Sequence, residues 1–341
     1  MILQRWLPNL NLAIWVTAFG GCMILLNVLH VKNYGWAQFW LGRAKVFIIT
    51  ALIVVCLAVS LDANSDREVR GFRYWNNPGA FGHYIYEGSA GGFLGWWASM
   101  VSATFAYTGC EVVGAAFGEV ENPRKNIPSA VRQTLYRIGI FYIISVIAIG
   151  MAVPYTDQGL TSYGGHHDIT SSPFVIAVTN AHIKVLPEII NGSLLVFTLS
   201  AVNADIYTAS RTLFALAKDK QAPAFLMHTI KGGVMDGVPL GAVAVASCFV
   251  ALAYMNAAKS AQVVFVYLVN LTTVFGALNW VNILVSYLFF RKGLNARGVQ
   301  VSQLPYVCPL QPYGAYYALI VTVLVITFNG KPRLITVHSG H

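Results

Sequence analysis

Apolar residues run along this chain in eight long blocks, separated by connections rich in polar residues, glycine and proline. The blocks cover residues 10–29, 39–61, 94–118, 136–153, 185–217, 239–256, 263–290 and a shorter 313–328, which Lys331-Pro332-Arg333 cuts off. Roughly 20 apolar residues rising 1.5 Å each cross a hydrocarbon core of roughly 30 Å, so each block predicts a membrane-spanning helix. The first follows Arg5 and superficially resembles a signal peptide. Its apolar run is too long for one and no small-residue cleavage pattern follows, so it is expected to remain as a span. The pattern thus predicts an all-α polytopic membrane protein.

The third block carries the most unusual chemistry. It opens as an apolar helix, meets Tyr107-Thr108-Gly109-Cys110-Glu111, and resumes an apolar pattern to Gly118. A glycine beside a carboxylate then lies near the middle of the membrane, where a carboxylate is expensive and marks a functional candidate. Unwinding at Thr108-Gly109 frees backbone groups, which persist at that depth only when buried in protein or lining a polar cavity. Broken helices of this kind hold small polar substrates in many secondary transporters. The plainer alternative is that Gly109, Gly114 and Gly118 let a neighbouring helix pack closely, although that leaves Glu111 unexplained. Glu111 is a candidate proton carrier or, alternatively, a permanently hydrogen-bonded structural carboxylate. Phe105 and Tyr107 flank the unwound point, where a ring can close over a substrate or simply pack.

Composition sharpens this reading. Hydrophobic residues make up 56% and charged residues 10% of the chain, with a mean hydropathy of +0.60. Soluble domains carry about 25% charged residues, which excludes an ordinary soluble globule. The net charge of +9 is spread over the connections rather than gathered on one face, so membrane asymmetry explains it better than nucleic acid does. One set of alternate connections and adjoining helix ends holds fourteen of the 22 basic residues, among them Lys45, Arg124, Lys125, Arg211 and Lys292. That side is expected to be cytoplasmic, with both termini outside. The five cysteines show no metal-ligand spacing and no argument for a disulfide. His166 and His167 lie in a glycine-rich outer connection with no third fixed ligand, which reads as a loop rather than a metal site.

Other polar residues fall inside or beside the spans. Lys45 lies just within the second and either fills a cation position or snorkels to the inner surface. Asn203 and Asp205 in the fifth line an inner pathway or form helix–helix hydrogen bonds, and Asn270, Asn279 and Asn282 in the seventh read in the same two ways. The run Glu121-Asn122-Pro123-Arg124-Lys125-Asn126-Ile127-Pro128 ends the broken span, with Pro128 suited to the first turn of the next helix. Arg124 and Lys125 there bind headgroups, hold a cytoplasmic gate, or serve only as a solvated topology signal.

Phe105-Ala106-Tyr107-Thr108-Gly109-Cys110-Glu111-Val112-Val113-Gly114, Gly118-Glu119, Asn122-Pro123-Arg124-Lys125 and Pro128-Ser129-Ala130 together resemble the fungal amino acid permeases of the amino acid–polyamine–organocation superfamily. Later stretches agree in order: Ile183 to Pro187, Ser210 to Leu213, Gln221-Ala222-Pro223, Gly237-Val238-Pro239 and Gln311 to Ala318. The resemblance implies a LeuT-type fold of five plus five inverted repeats with two additional helices. Here it is partial: about eight spans match family spans four to eleven. Residues 10–61 would be the last two helices of the first repeat, 94–290 the second repeat, 313–328 an additional span and 329–341 an atypical tail.

By the same resemblance, Phe105 looks like the aromatic gate, Ala106 to Gly109 like the backbone that meets an α-amino group, and Cys110 like the neighbouring site position, where the family usually carries threonine. Glu111 looks like the coupling carboxylate and Lys45 like a lysine that occupies a cation position. Trp36 and Gln38 stand where the family has acids, and Val307-Cys308 where it has Lys-Ala. The implied function is secondary active, proton-coupled amino acid symport into the cell, in the plasma membrane, by a chain incomplete on its own. An alternative from another class is a non-transporting amino acid sensor or regulatory remnant. No filter motif supports a channel and no intramembrane nucleophile–base pair supports an enzyme. Expected partners are an amino acid and the surrounding lipid, without nucleic acid. Protons are the coupling ion and no other cofactor is expected; nothing in the sequence sets an oligomeric state.

Overall fold

Backbone amides and carbonyls in hydrocarbon must find partners within the protein, and the continuous helix provides them locally. The computed structural model describes residues 11–29, 31–61, 69–84, 86–115, 120, 122–157, 160, 172–181, 185–230, 237–257, 261–301, 304, 306–308 and 310–328. Apart from a β-bridge between Thr229 and Pro239, every regular element among them is helical. In order these are α1 (Leu12–Val28), α2 (Val31–Leu61), α3 (Gly88–Tyr107), the single turn α4 (Val112–Ala115), α5 (Pro123–Ala152), α6 (Pro173–Asn180), α7 (Leu186–Lys218), α8 (Leu240–Cys248), α9 (Ala261–Ala296) and α10 (Tyr313–Phe328). Tighter or wider helical turns occupy Ala224–Met227, Phe249–Ala257 and Trp75–Gly79.

Several expectations need correction. Among the described residues four helices are long and apolar enough to cross a membrane: Tyr34–Leu61, Pro123–Ala152, Leu186–Lys218 and Tyr267–Ala296. Ala13–Val28, Leu240–Met255 and Tyr313–Phe328 are shorter apolar helices. The block at 239–256 changes from an α-helix to a tighter helix at Phe249, and the block at 94–118 is interrupted. Helix α5 begins at Pro123, so Pro123 and not Pro128 takes the first turn, where a missing amide costs nothing. The connection at 154–184 contains α6 (Pro173–Asn180), too short an apolar run to stand out as a span. The histidine-bearing loop at 163–168 and the tail at 329–341 lie outside the described residues.

The chain divides into two compact units. Unit one comprises residues 1–80 and 136–261. Its core joins α2, α5 and α6 through Ile53, Cys56, Ala148, Ala152, Val153, Ile176 and Ala177. Small residues there let the backbones approach, which is how helices gain contact in an apolar solvent. Leu52, Val175, Val178 and Ile190 bring α7 against α2 and α6. Met23, Ile206 and Ala246 join α1, α7 and α8. The pairs Tyr34–Tyr207 (stacked, 4.0 Å), Gln38–Ser200 and Leu52–Ile190 fall in antiparallel register on α2 and α7. Asn27 Nδ2 donates to Asn203 Oδ1 at 2.8 Å across α1 and α7, both residues being buried.

Unit two comprises residues 81–135 and 262–341. Gly276 of α9 comes close to Thr108 at the end of α3, and Trp97 of α3 meets Phe328 of α10 edge to face at 5.9 Å. In both units hydroxyls turn back onto their own helix, as Thr50 does to the Val46 carbonyl and Thr273 to the Val269 carbonyl. Large apolar side chains face outward on every long helix, Phe47 at 76% and Tyr317 at 70% exposure among them. Helices apolar on all sides belong in lipid.

Replacing Asn203 with leucine removes the bond to Asn27 while leaving the Asn27 amide buried. We expect a loss of about 1 kcal/mol in thermal unfolding in detergent, partly recovered when Asn27 is also replaced by leucine.

Candidate functional site

The most distinctive backbone in unit two is the end of α3. Tyr107 is its last residue; Thr108 turns extended (φ −63°, ψ 139°) and Gly109 takes a φ of +97°. That conformation strains any residue with a Cβ. Among the described residues no atom lies within 4 Å of where a Gly109 Cβ would be, beyond its chain neighbours, so this glycine is required by its torsion rather than by helix packing. Thr108 N–H donates to the Phe105 carbonyl at 3.2 Å and Val112 N–H to the Gly109 carbonyl at 3.1 Å. The Gly109 amide, which the unwinding leaves without a helical acceptor, donates to Glu111 Oε2 at 3.1 Å. Glu111 therefore stabilises the interruption from within and leads into α4. Among the described residues, no group donates to the carbonyls of Thr108 and Cys110. Two peptide oxygens without a described donor and one carboxylate thus fall within four consecutive residues of an otherwise apolar stretch.

Beside the interruption lies a pocket of about 280 Å³, lined by Met100, Ala103, Thr104, Tyr107, Thr108, Gly276, Ala277, Trp280 and Thr322. Of the six residues expected to meet substrate, Tyr107 and Thr108 line it. Phe105 is exposed, as is Ala106, and Cys110 is half-buried. The wall from α9 and α10 was not anticipated. For α9 its trace in the sequence is two adjacent pairs of small residues, Thr272-Thr273 and Gly276-Ala277, set one helical turn apart. On α9 it is Thr273 and Ala277 that are buried, while Asn279 and Asn282 are exposed. Arg124 and Lys125 are exposed on the first turn of α5.

Unit one holds the remaining expected residues. Lys45 is half-buried on α2 and interacts electrostatically with Asp205, which is exposed on α7. Asn203 is committed to Asn27. Gln38, at a position where an acid was expected, forms a reciprocal pair with Ser200. Its Nε2 donates to the Ser200 carbonyl at 3.3 Å and its Oε1 accepts from Ser200 Oγ at 3.1 Å. An ionised glutamate could not make the first of these bonds; the neutral amide makes both at any pH. No group of three or more metal-ligating side chains occurs among the described residues.

Comparison with known proteins bears on what such an interruption is for. A family model for amino acid permeases matches residues 1–337. The chain belongs to the amino acid permease family. That family is one of membrane transporters rather than enzymes, and its members are integral membrane proteins. The chain is 42% identical over 330 residues to an uncharacterized amino-acid permease of Schizosaccharomyces pombe, covering 97% of this chain and 63% of the relative. It is 39% identical over 346 residues to the dicarboxylic amino acid permease of Saccharomyces cerevisiae, covering 100% and 56% respectively. With the proline-specific permease of Emericella nidulans the identity is 36% over 333 residues, covering 97% and 60%. The permease chain therefore spans a little over half the length of these relatives.

Substituting Gly109 with alanine forces a Cβ into the strained backbone region. The expected outcome is a loss of about 1–3 kcal/mol in thermal unfolding in detergent, or a shift of the interruption visible as altered protease or thiol access.

Proposed function

We propose that this permease binds an amino acid at the interruption between α3 and α4. It would take part in secondary active, proton-coupled symport of amino acids into the cell across the plasma membrane. The observation that carries this reading is the pair of Thr108 and Cys110 carbonyls, to which no group among the described residues donates. A peptide oxygen in an apolar setting calls for a partner, and an α-ammonium group supplies three donors. Tyr107, at the pocket wall, and Phe105 are the rings available to close over the ligand, with Ala106 and Gly109 supplying the surrounding backbone.

Glu111 is proposed as the coupling carboxylate. Its bond to Gly109 ties its charge state to the backbone that would hold the ligand, because a carboxylate accepts from an amide more strongly than a neutral acid does. Lys45 is proposed to fill a cation position, answered by Asp205, and Arg124 and Lys125 to form a cytoplasmic gate. Asn203 and Asp205 would flank the inner pathway. Membership in the family supports a LeuT-type fold, in which residues 10–61 complete a first repeat and 94–290 form a second. The names of the relatives point to both acidic and uncharged substrates, so the proposal extends to amino acids as a class.

The test is uptake of labelled amino acids in cells lacking their own permeases, at acidic and neutral external pH. Accumulation that rises at acidic pH is expected, and Glu111→Gln should abolish it while the protein remains membrane-inserted. Unchanged pH-dependent accumulation in that variant would remove Glu111 from the mechanism. Substrate-dependent signalling without uptake would overturn transport in favour of a sensor.

A further inference from the structure

We infer that Gly276 on α9 is a positioning residue for the interruption in α3: its missing side chain is the seat into which Thr108 fits. This rests on the reading of the interruption as the amino acid site, and extends it to a residue remote in sequence. A Cβ built on Gly276 would lie 2.8 Å from Thr108 Cγ2, 3.1 Å from its Oγ1 and 3.6 Å from its Cβ. The first distance is too short for any side chain, so something must yield.

Thr108 is held against rotating. Its hydroxyl donates to the Thr104 carbonyl at 3.2 Å, which favours the χ1 that brings Cγ2 against Gly276. A new rotamer would sacrifice that bond beside the pocket. The alternative is movement of the backbone at Thr108, the residue whose own carbonyl is proposed to meet the ammonium group. The close approach of α9 therefore sets the position of the ligand-facing oxygen, although α9 contributes only Gly276, Ala277 and Trp280 to the pocket wall.

The methyl and the hydroxyl of Thr108 can be separated by mutation. Thr108→Ser deletes Cγ2 and keeps the hydroxyl bond, leaving contacts that a few tenths of an ångström relieve. Thr108→Val keeps a methyl and loses the bond. Three variants are compared with wild type at matched surface expression: Gly276→Ala, Gly276→Ala/Thr108→Ser and Gly276→Ala/Thr108→Val. Two quantities are read, the KM and maximal rate of uptake, and the alkylation rate of Cys110 in a background where Cys22, Cys248 and Cys308 are serine.

Gly276→Ala is expected to raise KM by about tenfold or more with a smaller change in maximal rate, and to shift the Cys110 alkylation rate. Adding Thr108→Ser should restore both, and adding Thr108→Val should restore neither. Unchanged KM and alkylation in Gly276→Ala, or failure of the serine variant to rescue, would overturn the inference. Should Gly276→Ala be lost from the membrane, recovery of its level by Thr108→Ser supports the inference and equal loss of the double variant overturns it. Should wild type take up no amino acid, the transport reading fails while Cys110 alkylation still decides the role of Gly276.

Discussion

A peptide group surrounded by hydrocarbon has to be answered by something, and this constraint shapes the protein more than any side-chain contact. Along α2, α5, α7 and α9 the helix answers itself, and serine and threonine hydroxyls fold back onto the same ladder. Between Tyr107 and Val112 the ladder fails. There the protein provides a carboxylate for one amide, while no described group donates to the carbonyls of Thr108 and Cys110. The asymmetry matters: the donor is satisfied internally and, among the described residues, the two acceptors are not. A site left in that state suits a ligand that brings donors, as an ammonium group does.

Two glycines divide the labour at this site, and they do so by different physics. Gly109 has open space around its missing Cβ and is needed for its torsion. Gly276 lies within an ordinary helix and is needed for the room it leaves to Thr108. A positive φ is a local matter that the chain settles with its neighbours. Close approach involves two helices separated by more than 150 positions in the sequence. The first therefore shapes the interruption and the second locates it against its neighbour.

The same division explains what was legible in the sequence. The interruption itself was, because Thr108-Gly109 followed by Glu111 within an apolar run is a local conflict visible without coordinates. Membrane character was equally plain from composition. The α9 wall of the pocket was obscured because attention to polarity favours Asn279 and Asn282, whereas packing uses Thr273, Gly276 and Ala277. Span boundaries drifted for a related reason. Helices α2 and α5 begin well before their apolar blocks, at Val31 and Pro123, since a helix continues through polar residues once nucleated. Asn203 could be read as a pathway residue or as a helix–helix hydrogen bond; it is bonded to Asn27 on α1, a partner that only folding reveals. Family membership follows from residues 1–337 taken together, and the roles given to Lys45, Arg124 and Lys125 remain at the level of proposal.

The distribution of buried apolar clusters has one more consequence. All four, linking α1, α2, α5, α6, α7 and α8, belong to unit one; among the described residues none belongs to the unit that carries the interruption. Cooperative opening follows the density of such contacts. Local opening is thus expected to be uneven, with amides of unit one exchanging with solvent more slowly than the described amides of unit two.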